Sequence, residues 1–353
     1  MRNASRLGTL ALSLLALGGV ANAAPPQYTI IDLGTVQSSD IASQAFRISP
    51  GGVVTGRSLG TSQNRTYRWT QATGLVGLPN LTSPSRIYSA GNGANDAGAV
   101  VGTGTTTASG VNPLPLLWQG GAVSQLPLPP GQSAGRANDV NSSMVAVGSA
   151  GGGTSERAVL YSGGASKLIT QTTPTGCYLV SAFGINNAGL VVGIGVDPNN
   201  SARNVGIVYN SVTNTATDVG GLPGRNGAIA YDVSENGRVV GVSMNNQGSG
   251  VPFIWDSANG MRAIPLPAGT SQGSARGVNS AGWVVGNASS ASSVPFLFDG
   301  VTTYRLGDLL PAGSGWNLLT GTSNSAFGIS ETGVIVGTGV HNGATHAYAM
   351  IPK

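Results

Sequence analysis

One nine-residue pattern recurs seven times along this chain, and that repetition constrains its fold more than any other feature. An apolar residue, Asn or Ser, two turn positions, a Gly and an apolar run closing on a second Gly occupy Ile48–Gly56, Ala94–Gly102, Val140–Gly148 and Ile185–Gly193. The same pattern returns at Val233–Gly241, Val278–Gly286 and Ile329–Gly337; these are repeats 1 to 7. The order of residues is that of a tight β-hairpin, in which the mid-pattern Gly supplies the positive φ that other residues adopt at a cost. Only repeat 3, with Met144 at that position, departs. The closing glycines lie 46, 46, 45, 48, 45 and 51 residues apart, which is the length of one four-stranded propeller blade.

The rest of each repeat fits that size. Three residues before the apolar anchor stands a small residue (Ala45, Gly91, Ala137, Ala182, Ala230, Ala275 or Ala326), as an innermost strand crowded by its neighbours requires. A third strand ends on a large apolar residue, Trp69, Trp118, Tyr161, Tyr209, Trp255, Phe298 or Met350, which packs between blades. A short fourth strand carries Leu or Ile, as at Thr217–Leu222 and Met261–Leu266. Only six such fourth strands follow their repeats. The seventh is supplied from the other end, where Tyr28–Gly34 has the register of Thr217–Gly220. The sequence therefore predicts an all-β, seven-bladed β-propeller of four-stranded blades whose ring is closed by the N-terminal strand, leaving no open sheet edge.

Composition agrees: 56 Gly and 19 Pro leave little room for long helices. Residues 1–23 read as a signal peptide, with Arg2 and Arg6, an apolar stretch from Leu7 to Val20, and Ala21-Asn22-Ala23 before the cleavage point. The apolar stretch is too short for a transmembrane segment. Residues 24–353 are then one secreted domain, extracellular or periplasmic, and a monomer. Cys177 is the only cysteine, so no internal disulfide forms, and it reads as a packed side chain. Without Arg2 and Arg6 the chain carries 15 basic and 13 acidic residues. That balance excludes a nucleic-acid-binding face.

The unit Ser325-Ala-Phe-Gly-Ile-Ser-Glu-Thr-Gly-Val-Ile-Val-Gly337, the triplet His346-Ala347-Tyr348 and the strand Tyr28 to Thr35 resemble the HAF-repeat family of extracellular bacterial repeat proteins. The resemblance extends over residues 28–351, although the triplet has drifted to Thr66-Tyr67-Arg68, Val251-Pro252-Phe253 and Val294-Pro295-Phe296. It implies secretion and repeats, and no activity.

The inventory for chemistry is thin. Ten of the 13 acidic residues fall on turn or strand-end positions: Asp96, Glu235, Glu331, Asp139, Asp232, Asp256, Asp299, Asp32, Asp218 and Asp308. Asp40, Glu156 and Asp197 remain, and Asp40 with Asp197 is the one candidate pair for a polysaccharide hydrolase or lyase. No metal site is expected, since His341 and His346 stand five apart around a turn and read as a loop and a strand-end residue. No catalytic residue and no cofactor are expected either. The hairpin turns keep one length, whereas the connections at the other end of the blades vary, and variable loops on a repeated scaffold are where binding is tailored. Arg86, Tyr88, Tyr178, Arg225, Trp316 and His341 stand there as candidate ligand-binding residues, a mixture suited to a glycan, a peptide or a cell-surface polymer. The expected function is a secreted, non-catalytic binding or scaffold propeller, with a propeller-type hydrolase or lyase as the alternative.

Overall fold

A computed structural model describes residues 24–353; the signal peptide read at 1–23 lies outside the described residues. The structure is all-β with two short 3-10 turns, Gly153–Ser155 and Leu306–Leu309, and no helix long and apolar enough to cross a membrane among the described residues. Each repeat folds as an antiparallel four-stranded sheet that meanders outward from an innermost strand. In repeat 4 the strands are Tyr178–Ile185, Leu190–Asp197, Asn200–Asn210 and Thr215–Asp218. The first two repeats touch edge to edge through a single parallel bridge, Asn64 to Tyr88. In repeat 7 the outer strand is Tyr28–Asp32, paired antiparallel from Tyr28↔Pro352 to Asp32↔Tyr348, and an extra strand, Trp316–Asn317, pairs with Val340 and His341.

Both glycines of the repeated pattern have a physical cause. At the hairpin turn Gly52, Gly98, Gly189, Gly237, Gly282 and Gly333 all have positive φ, and Met144 takes the same left-handed conformation at φ 59°. The closing Gly faces the innermost strand: a Cβ on Gly56 would lie 1.9 Å from the Gln44 carbonyl oxygen, and one on Gly193 2.0 Å from that of Ser181. No other residue fits so close an approach.

The core lies between neighbouring sheets. Ala45, Ala137, Ala182, Ala230, Ala275 and Ala326 are wholly buried, as crowding near the axis demands. The large third-strand residues are buried at Trp69, Trp118, Tyr161, Tyr209 and Met350, but Trp255 and Phe298 are only half-buried. The residue two positions earlier is buried in every repeat: Tyr67, Leu116, Val159, Ile207, Phe253, Phe296 and Tyr348. It shares the same strand face nearer the middle of the strand, so it fills the packed core, which the sequence reading assigned to its neighbour. The fourth strands also end sooner than the sequence suggested. That of repeat 4 stops at Asp218 and that of repeat 5 at Ala263, and the apolar residue next in line, Val219 or Ile264, tucks beneath the sheet while its N–H still donates to Gly206 or Pro252.

Adjacent sheets are stitched by the Asn of the repeat. The buried Asn186 accepts the Leu190 N–H at Oδ1 and donates from Nδ2 to the Ser234 carbonyl of the next repeat. Asn95, Asn141 and Asn279 reach forward in the same way. Where Ser replaces Asn, as at Ser49, Ser234 and Ser330, the hydroxyl closes its own hairpin only. Repeat 1 also meets repeat 7: Ala347 donates to Ser43, Glu331 donates to the Pro50 carbonyl, and Leu33, Ala45, Val54, Val336 and Ala347 share one core cluster.

Candidate functional site

The innermost strands lie side by side in repeat order, and that of repeat 1 also contacts that of repeat 7. Equivalent positions therefore form layers around one axis. At one end, the hairpin mouth, are the turns of the repeated pattern; at the other, the loop mouth, are the connections of variable length.

The layer nearest the hairpin mouth is the residue before each apolar anchor: Arg47, Gly93, Asp139, Gly184, Asp232, Gly277 and Gly328. Arg47 Nη2 bridges Asp139 Oδ2 at 2.6 Å and Asp232 Oδ1 at 2.5 Å. Backbone N–H groups of the following repeats, Ile185 and Val278, complete the two carboxylates. The glycines make room, since a Cβ on Gly93 would lie 2.4 Å from Asp139 Cα. Burial pushes the Asp139 carboxyl up to about 6; Arg47 opposes the rise and Asp232 adds to it. Asp232 is raised from the same first cause, and Arg47 is held firmly protonated despite its own burial. Above this layer Asp96, Glu235 and Glu331 accept N–H groups of Gly51, Asn187 and Ser280 from the preceding repeat. The cavity they enclose measures about 50 Å³. It is an ionic clamp whose own side chains leave room for little more than water.

The loop mouth has the opposite character. A β-bulge interrupts every innermost strand, as between Ala45 and Arg47 or Ala230 and Asp232, and leaves Phe46, Asn92, Asn138, Phe183, Tyr231, Arg276 and Phe327 unpaired. Such bulges re-aim side chains. Phe46 meets Phe327 edge-on at 5.9 Å, Phe183 meets Tyr231 at 5.7 Å, and the Arg276 guanidinium lies 3.9 Å over the Tyr231 ring. Arg57 lies 5.5 Å over Phe46 and donates to Gln44. Beside it a cavity of about 230 Å³ is lined by Phe46, Arg57, Tyr88, Asn92 and Arg136, among others, with no carboxylate or imidazole in its wall. Among the described residues, Arg57, Arg136 and Arg276 have no carboxylate within ion-pair distance.

Of the residues singled out from sequence, Tyr88 lines this cavity. Arg86 is tied to the Asn112 and Ser85 carbonyls, and Arg225 to those of Ser243 and Ser249. Tyr178 lies under the Arg157 guanidinium at 4.4 Å. Trp316 and His341 stack face to face at 4.6 Å. The six are thus spread over several repeats, with one contact pair among them. Asp40 and Asp197 belong to different repeats and form no pair: Asp40 binds Arg65 and Ser58, and Asp197 binds Arg203. The two histidines, read separately from sequence, converge: His341 Nδ1 and His346 Nδ1 lie 2.8 and 2.7 Å from Asp32 Oδ2. Sequence reasoning missed Arg57, Arg136 and Arg276, and it treated Asp139 and Asp232 as hairpin ends. A signal was present: one column of the repeat alternates charge with glycine from Arg47 to Gly328.

These layers around one axis define a β-propeller-like fold, and solved structures share it. A virginiamycin B lyase from Staphylococcus aureus is 8% identical over 92% of this chain and 99% of its own, with a TM-score of 0.54. An oligogalacturonate lyase in complex with manganese is 12% identical over 94% and 97%, with a TM-score of 0.57, and an oligogalacturonate lyase from Vibrio parahaemolyticus is 9% identical over 92% and 97%, with a TM-score of 0.53. At these identities the likeness is one of fold. The chain belongs to the DUF3466 family, described as proteins of unknown function, whose model matches residues 166–349. No curated protein matches it.

Proposed function

We propose that the seven repeats are the blades of a closed seven-bladed propeller of the HAF-repeat type, exported by residues 1–23, that binds an acidic glycan at its loop mouth. The observation that carries this reading is the segregation of charge along the axis. Arg57 and Arg276 lie over aromatic rings and Arg136 shares a cavity wall with Phe46 and Tyr88, all without carboxylate partners among the described residues, while the axial acids are gathered at the hairpin mouth and already engaged. Guanidinium groups pair bidentately with carboxylates, and aromatic faces stack on sugar rings. The cavity wall offers no carboxylate or imidazole for acid–base chemistry, which favours retention over cleavage. Tyr178 and Trp316 sit on the same loop side and would act as peripheral contacts, whereas Arg86 and Arg225 are occupied by backbone carbonyls.

The test is titration of purified protein with uronic-acid oligosaccharides and their neutral counterparts. The acidic series binds, weakening as salt rises, and the neutral series does not. Equal binding of both, or depolymerisation of the acidic series, would contradict the proposal.

A further inference from the structure

The three residues Asp32, His341 and His346 invite a closer comparison with their counterparts in repeat 4. Asp32 and Asp218 hold the same place on the outer strand, and each uses Oδ1 to accept the N–H two residues on, from Gly34 or Gly220, at 2.8 Å. Four residues after the closing glycines Gly193 and Gly337 stand Asp197 and His341. In repeat 4 a permanent cation fills the space between the acids: Arg203 donates to Asp218 at 2.6 Å and to Asp197 at 3.2 Å. In repeat 7 no guanidinium or ammonium among the described residues does so. Two imidazoles face the free oxygen of Asp32 instead, and all three donor atoms lie within 4.8 Å of one another.

From this geometry we infer that Asp32 Oδ2, His341 Nδ1 and His346 Nδ1 form a binding site for a divalent transition-metal ion of the zinc class. Two imidazole nitrogens and one carboxylate oxygen are a donor set that suits Zn²⁺, with a fourth position left to water. Metal–ligand distances near 2.1 Å in a tetrahedral site place donor atoms about 3.4 Å apart, so the present 2.7 and 2.8 Å contacts need to open only slightly. Two of the ligands, Asp32 and His341, are already oriented. Gly34 N–H fixes the Asp32 carboxylate, and the Trp316 indole lies parallel to the His341 ring, at 8°. Asn342 Nδ2 stands 3.2 Å from His341 Nε2. When the metal takes Nδ1, the imidazole proton resides on Nε2 and the Asn342 amide turns its oxygen to accept it, the kind of outer partner that metal-bound histidines have. The ligands lie more than 300 residues apart in sequence, so the ion clasps the N-terminal strand to the last repeat. This inference stands independently of glycan binding.

The experiment is calorimetric titration of chelator-treated protein with Zn²⁺, with thermal melts and Co²⁺ absorption in parallel. The site predicts one ion per chain, a melting temperature that rises with Zn²⁺ concentration because the ion binds only the folded state, and visible d–d bands of tetrahedral Co²⁺. Asp32→Asn, His341→Gln and His346→Gln each weaken binding at least tenfold, and Trp316→Phe, which alters the ring stacked on His341 but removes no ligand, keeps the ion. Should one variant fail to fold, the other two carry the test. Absence of stoichiometric binding in the parent, or Zn²⁺ affinity unchanged in the folded variants, would overturn the site.

Discussion

The two mouths of the axis are built from adjacent residues of the same strands, yet they have opposite chemistry. At the hairpin mouth Arg47 is shared by two buried carboxylates in a space of about 50 Å³. At the loop mouth, one bulged residue away, Phe46, Tyr88, Arg57 and Arg136 border a cavity of about 230 Å³, and Arg276 lies over Tyr231 outside it. The bulge makes this possible, because it lets two successive residues both face the axis, one towards each end. The comparison teaches that charge satisfied within the protein holds the inner strands together, whereas charge left unsatisfied is available to a ligand.

The sharpest way to break this comparison is to remove the cation of the clamp. Arg47→Met leaves two buried carboxylates without a partner and is expected to cost about 3–5 kcal/mol in chemical denaturation. A loss below 1 kcal/mol would mean that the clamp is not what holds the hairpin mouth.

A smaller effect comes from the pH dependence of the same group. Asp139 titrates at about 6 in the folded protein, above its unfolded value near 4, so the folded state binds the extra proton. Stability therefore falls as pH rises from about 4 to about 6, by up to about 3 kcal/mol for a shift of this size. Asp139→Asn should flatten that part of the profile relative to the parent. A variant whose profile parallels the parent's would place the titration elsewhere.

Smaller again is the contribution of a single stitch. Asn186→Ala removes both the hairpin bond and the bond to the next repeat, and leaves the Leu190 N–H without its side-chain partner, while the Ser234 carbonyl keeps the Gly237 N–H. About 1–3 kcal/mol follows. Ser234→Ala, which loses the hairpin bond without any forward stitch, should cost less, and equal losses would argue that the forward bond contributes nothing.

Much of this architecture was legible in the sequence because its causes are local. The hairpin Gly needs positive φ, the closing Gly faces a carbonyl, and the alanines mark the crowded strand, so each recurs at a fixed register. The strand Tyr28–Asp32 could be placed on the last repeat because it carries the register of Thr215–Asp218. The sites were harder to read because they join positions far apart in the chain. Arg47, Asp139 and Asp232 come from repeats 1, 3 and 5, and Asp32 meets His341 and His346 from opposite ends of the sequence. Arg86 and Arg225 looked available because they lie on variable loops, but backbone carbonyls occupy both.

The least effect on stability, below about 1 kcal/mol per residue, is expected at the loop mouth, where the arginines make stacking contacts and neutral hydrogen bonds and no ion pairs among the described residues. The most direct test of the account is therefore paired calorimetry with a uronic-acid oligosaccharide on two variants that each lose three charges, of opposite sign, at opposite mouths. Arg57→Gln, Arg136→Gln and Arg276→Gln together should abolish binding and leave the melting temperature near that of the parent. Asp96→Asn, Glu235→Gln and Glu331→Gln, at the other mouth, should leave binding intact. Retained affinity in the arginine variant, or loss in the acidic-residue variant alone, would contradict the claim that the loop mouth is the binding face.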